Sequence, residues 1–145
     1  MDGIKFFEFL KTGNNLNGVI LNDPKDKISE LLGEPIELIG DRECGFFQYK
    51  NGVRIGYFGN EIDELAISFV GRGDIFYSVK LDNTYEITNH TQIHEFIFFL
   101  NNNNLSWKSF DEKSKMAFSI ILKSGVYVVF DLETGCLYKI GKSRL

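Results

Sequence analysis

Only two histidines occur in the chain, His90 and His94, and their i, i+4 spacing would set both imidazoles on one helix face, as two zinc ligands would sit. A zinc site needs further ligands, and no cysteine or other histidine lies near them in sequence. His90 also precedes the expected first helical turn, so capping and surface roles compete with the metal reading, and no metal or cofactor is expected. Carboxylate pairs can split glycosidic bonds by acid and base catalysis. The pairs present are Asp23/Asp26, Glu61/Asp63/Glu64 and Asp111/Glu112, and all fall in expected caps or turns, where solvated acids belong. Gly71-Arg72-Gly73 lacks the third glycine of a dinucleotide loop, and neither a phosphate-cradling loop nor a nucleophile elbow is found. The chain therefore reads as non-enzymatic, with catalysis by residues assembled only in space as the alternative.

Composition narrows the remaining classes. The 145 residues, 43% hydrophobic and 25% charged, suit a single folded domain over 1–145 that needs no covalent staple. The formal net charge of −4 falls within residues 1–72, which argues against nucleic acid as a partner, because phosphate binding requires a basic face. No apolar run approaches the ~20 residues of a membrane-spanning helix, so no membrane role is expected. Lys5 and Glu8 interrupt the apolar N-terminal residues, unlike a signal peptide, and the isolated Cys44 and Cys136 suit reduced thiols. A cytoplasmic location is expected.

The elements follow from periodicity. Residues 2–11 predict a helix with Phe6, Phe9 and Leu10 on its inner face. Asn22-Asp23-Pro24 predicts a second helix start, with Asp23 as cap and Ile28, Leu31 and Leu32 as the buried stripe, ending at Gly33 and Pro35. The period then changes to two over 36–39, 46–50, 53–58 and 64–70. Asn51-Gly52 predicts a two-residue hairpin turn that pairs Lys50 with Val53. A third helix is predicted over 91–100, with Asn89 and Gln92 spaced as a capping box and Ile93, Phe96, Ile97 and Leu100 inward. Strands recur over 105–110, 116–123, 126–131 and 136–140.

Helix-then-strands thus occurs twice, and short stretches align between the halves. Residues 28–32 match 93–97 at an offset of 65, and 50–55 match 123–128 at 73. This predicts two helix-plus-meander repeats, over about 16–75 and 76–145; a chance likeness of two such segments would give the same layering. The class is α+β, an antiparallel sheet with helices on one face. The two-residue register puts Val53, Ile55 and Tyr57, with Val126, Val128 and Phe130, on the core face. The opposite face then carries Tyr49, Arg54, Phe58, Leu122, Tyr127, Val129 and Tyr138. Such a face is either a protein interface or more core beneath a covering segment, and a turn one residue longer would swap the sides. Tyr49, Arg54, Phe58, Tyr127 and Tyr138 are the candidate anchors, joined by Trp107, the only tryptophan, which is equally suited to the core.

Ile28-Ser29-Glu30-Leu31-Leu32-Gly33-Glu34-Pro35, followed by residues 49–58, Tyr-Lys-Asn-Gly-Val-Arg-Ile-Gly-Tyr-Phe, resembles a group of small bacterial proteins encoded near toxin systems. Ser124-Gly125-Val126-Tyr127-Val128-Val129-Phe130-Asp131, with Gly135-Cys136-Leu137, is similar to the ending of the same group. The tandem layout also resembles β-lactamase-inhibitor-like and outer-membrane-assembly-lipoprotein-like domains, whose sheet offers a concave surface to a protein. The resemblance implies a cytoplasmic binder, an immunity protein that occludes a toxin, with its acids steering a basic partner. Two other readings remain open: a small-molecule binder or enzyme using a cleft between the halves, and a homodimer burying the aromatic faces.

Overall fold

The computed structural model describes residues 1–82, 84–110 and 115–144. Helix α1, Gly3–Thr12, starts where the Asp2 carboxylate accepts from the Ile4 N–H at 2.8 Å, and it buries Phe6, Phe9 and Leu10 as their spacing predicts. Helix α2, Lys27–Leu32, begins three residues beyond Pro24. The expected start at Asp23-Pro24 is overridden because that backbone is already paired: Ile62 donates to Asp23 O, and Lys25 donates to Asn60 O. A chain tied to another strand cannot also turn helical there. Only Ile28 of the predicted stripe is fully buried, and Leu31 is exposed. Helix α3, Ile93–Asn102, has its capping box three residues later than expected, from Gln92 and Glu95 rather than Asn89 and Gln92.

Eight strands form one antiparallel sheet: β1 (Glu37–Gly40), β2 (Cys44–Gln48), β3 (Val53–Phe58), β4 (Glu61–Ser68), β7 (Trp107–Phe110), β8 (Ala117–Leu122), β9 (Tyr127–Asp131) and β10 (Leu137–Ser143). Strands β5 (Ser78–Lys80) and β6 (Glu86–Thr88) make a separate small hairpin that periodicity did not reveal. The order β1-β2-β3-β4-β10-β9-β8-β7 sets two four-stranded meanders side by side, joined where Ile67 lies opposite Ile140. The class is α+β.

Both central hairpins turn through three residues, not two. Gln48 pairs with Arg54, and the Tyr49 N–H donates to Val53 O at 2.9 Å, leaving Lys50-Asn51-Gly52 as the loop. Leu122 donates to Val126 O in the same way around Lys123-Ser124-Gly125. Gly52 at φ 90° and Gly125 at φ 88° supply the left-handed third position of such loops. The extra residue rotates the incoming strand, so Tyr49 and Leu122 belong to the core face, a correction to both placements. The outgoing strands keep their expected faces: Val53, Ile55, Tyr57, Val126, Val128 and Phe130 are all buried.

One hydrophobic cluster joins Phe6, Phe9 and Leu10 of α1, Ile28 of α2, and Phe96 and Leu100 of α3 to inward strand residues of both meanders, such as Ile55, Leu65, Val128 and Ile140. Truncating one of its phenylalanines to Ala would cost about 3–5 kcal/mol. The other side of the sheet contributes almost nothing to this cluster and carries no helix among the described residues.

Candidate functional site

The outer side of the sheet is built from small residues on the central strands and large ones laid across them. Gly141 on β10 lies directly opposite both Ala66 of β4 and Tyr127 of β9. A Cβ at Gly141 would come within 2.7 Å of the Tyr127 hydroxyl, so the glycine is what lets that ring lie flat across β10. Tyr127 thereby reaches Glu64 on β4, donating to Oε2 at 3.0 Å, while Lys139 Nζ donates to Oε1 at 2.7 Å. On β3, the next strand, the Arg54 guanidinium stacks 4.0 Å from the ring centroid of Phe46 on β2, and its Nε donates to Gln48 Oε1 at 3.1 Å.

The sequence-derived candidates separate into three groups. Arg54 and Tyr127 lie half-buried on the outer face, as expected. Phe58, 59% exposed, sits at the far end of β3, and Tyr138, 47% exposed, is the extra residue of the β9–β10 bulge. Tyr49 is a core residue whose hydroxyl donates to Gly33 O at 3.1 Å, and Trp107 packs partly buried against the core with its ring N–H on Asn101 Oδ1. Sequence reasoning missed Phe46, Glu64 and Lys139, because the hairpin slip exchanged the faces of β2 and because the Tyr127–Glu64 pairing spans the joint between the meanders.

Two of the described acids are held by cations. Glu61 is engaged by Arg144 at 2.6 Å and Glu64 by Lys139. Burial, reinforced by the neighbouring Glu64, raises the Asp63 carboxyl above its ordinary value. Asp23 and Asp26 flank the turn before α2, and Asp111 and Glu112 lie outside the described residues. His90 and His94 are both exposed, and among the described residues no three His, Cys, Asp or Glu side chains are grouped to hold a metal ion. Among those residues, too, no helix is long and apolar enough to cross a membrane.

On the opposite side of the molecule, a cleft of about 440 Å³ opens between α1, α3 and the turn linking β5 to β6. Its walls include Ile4, Phe7, Tyr85, Phe98 and Phe99. The Tyr85 ring stacks on Phe99 at 5.4 Å, and its hydroxyl oxygen is buried without a hydrogen-bond partner. Such an orphaned hydroxyl costs roughly 1–3 kcal/mol.

Comparison with known proteins identifies no family: no family model and no solved structure matches this chain. A jasmonoyl–L-amino acid synthetase of Nicotiana attenuata is 33% identical over 89 residues, which is 59% of this chain. The chain spans 15% of that relative's length.

Proposed function

We propose that the chain is a non-enzymatic binding domain that docks a protein partner on the outer face of its sheet. The observation that carries this reading is the uncovered face itself: the described helices each send buried residues, Phe6, Ile28 and Phe96 among them, into the core on the other side, while Arg54, Phe46 and Tyr127 are spread across this one. Tyrosine and arginine concentrate binding energy at interfaces. Here both are already fixed by intramolecular contacts, so docking would freeze few rotamers. Phe58 and Tyr138 add exposed aromatic area at the margins.

Within this reading the partner is a toxin and the chain its cytoplasmic immunity protein. Support comes from the net charge of −4, which would speed encounter with a basic enzyme of nucleic acid. The two meanders are read as repeats, supported by matching three-residue hairpins that close on Val53 and Val126. The test is retention of a stoichiometric, salt-resistant partner by the tagged chain in its source cells, with an inactivated toxin from the same locus supplied. Phe58→Ser and Arg54→Ala should each release that partner while the variants stay folded. Equal retention by both variants, or a mass that doubles with concentration in place of any partner, would overturn the reading.

A further inference from the structure

We propose that β1 is a self-pairing edge, at which a second copy of this chain adds its own β1 antiparallel about a two-fold axis through Leu38. This does not rest on the sheet-face reading, since it uses the edge of the sheet and leaves the outer face open to a partner.

The backbone decides which groups are free. The Tyr49 N–H donates to Val53 O, and by strand alternation Phe47 and Gly45 also turn their backbone groups toward β3. Gln48, Phe46 and Cys44 then face β1, where Gln48 O takes the Ile36 N–H at 2.8 Å and Cys44 O takes the Asp41 N–H at 3.0 Å. Leu38 and Gly40 lie opposite Phe47 and Gly45, so their own N–H and C=O groups point outward from the sheet. Among the described residues no strand pairs with β1 on that side. Leu38, and Ile36 two residues before it, are 53% and 55% exposed, so the edge is apolar as well as open. Groups free at every second residue call for an extended backbone.

The charges favour a second copy and set its register. Two antiparallel registers match outward groups to outward groups. Centred on Ile39, the first sets Glu37 directly opposite the partner's Asp41, and like charges so placed destabilise a pair. Centred on Leu38, the second lays Leu38 against the partner's Leu38 and Ile36 against the partner's Gly40, whose missing side chain leaves it room. Each Leu38 N–H then donates to the partner's Leu38 C=O, and each Gly40 N–H faces the partner's Ile36 C=O. Glu37 falls beside the partner's Ile39 with its charge already neutralised by Arg72 at 2.7 Å. Beyond the strand, Glu34 comes toward the partner's Arg42, an attraction that the two-fold axis repeats. The net charge of −4 opposes two copies only at long range, where physiological salt screens it beyond about 8 Å. The other free edge, β7, is defended: Lys108 within it has no anionic partner among the described residues.

The experiment follows the mass of the full chain by sedimentation equilibrium as its concentration rises. The mass should double with a Kd of roughly 10 μM to 1 mM, the range of a small edge-to-edge contact. Leu38→Pro deletes an N–H that the β1–β2 ladder does not use, so that variant should stay folded and monomeric. Leu38→Lys sets like charges opposite each other across the axis and should raise Kd about tenfold or more. Phe58→Ser, away from this edge, should leave Kd unchanged. The register is read by oxidation in a Cys44→Ser, Cys136→Ser background. Leu38→Cys should form a disulfide-linked dimer there, because residues opposite in such a pair sit about 5.5 Å apart at Cα, and Ile39→Cys should not. The proposal fails if the mass stays single up to about 1 mM, or if both Leu38→Pro and Leu38→Lys still double. It fails also if Phe58→Ser abolishes the dimer, which would put the contact on the face, or if Ile39→Cys links in place of Leu38→Cys.

Discussion

Tyr127 on β9 donates to Glu64 on β4 across the whole width of β10, at 3.0 Å, and so bolts one meander to the other on the outer side. Lys139, from the strand between them, holds the second carboxylate oxygen. Tyr127→Phe removes one hydrogen bond while leaving Glu64 with its lysine, and it should cost about 1 kcal/mol, or roughly 2–4 °C in Tm. Glu64→Ala strands Tyr127, Lys139 and the Ser143 hydroxyl, which also donates to Oε2 at 3.4 Å, and should cost about 2 kcal/mol, held to that by the partial solvent access that Lys139 retains. Equal effects in thermal unfolding would show that the tyrosine, not the lysine, carries the joint.

The two three-residue hairpins give a paired test. Alanine at Gly52 or Gly125 must adopt a positive φ, costing roughly 1–2 kcal/mol at either site. At Gly52 the new Cβ would also lie 2.8 Å from Ser68 O and 2.9 Å from the Tyr77 Cβ, whereas at Gly125 the nearest atom is the flexible end of Lys142 at 3.3 Å. Gly52→Ala should therefore be the more destabilising in denaturant titration, by about 1 kcal/mol or more. The reverse order would mean that the Ser68 backbone can move aside.

At the start of α3, Glu95 Oε1 accepts from the Gln92 N–H at 3.0 Å, and the Gln92 side chain also reaches Thr134 O and Cys136 Sγ. The capping box thus ties the helix to the β9–β10 turn. Glu95→Ala should cost about 1 kcal/mol and speed amide exchange in the first turn of α3. Unchanged exchange there would show that the Gln92 contacts alone hold the helix end.

The first and third helices and the fold class were legible in the sequence because burial leaves a period: Phe6, Phe9 and Leu10, then Phe96 and Leu100, sit where spacing puts them. The hairpin register was not, since Lys50-Asn51-Gly52 satisfies a two-residue and a three-residue loop equally well, and the difference decides whether Tyr49 is an anchor or core. Pro24 followed local chemistry in the sequence and tertiary pairing in the fold, where it bridges Glu61. The cleft had no linear signal at all. It is assembled from residues near 3–8, 81–85 and 98–103, and the unpaired state of Tyr85 exists only once those segments meet.

Tyr49, Tyr57 and Tyr85 all have hydroxyl pKa values raised above the ordinary tyrosine range, in each case chiefly by burial and further by a nearby anion: Glu34, Asp41 and Glu95 respectively. An acid whose pKa is raised on folding holds its proton more tightly in the native state. Their contribution is therefore intact below the unfolded value of about 10 and is lost as pH rises past it toward the folded values. Stability should fall steeply on the alkaline side, with tyrosinate absorbance appearing together with unfolding. Tyr49 donates to Gly33 O and Tyr57 to Asp41 O, so removing either hydroxyl also breaks a bond. Tyr85 has no such bond to lose. Tyr85→Phe should then leave Tm unchanged or raise it by a few degrees at neutral pH, and it should flatten the alkaline decline. A clear loss of Tm at neutral pH would mean that the hydroxyl is satisfied in solution.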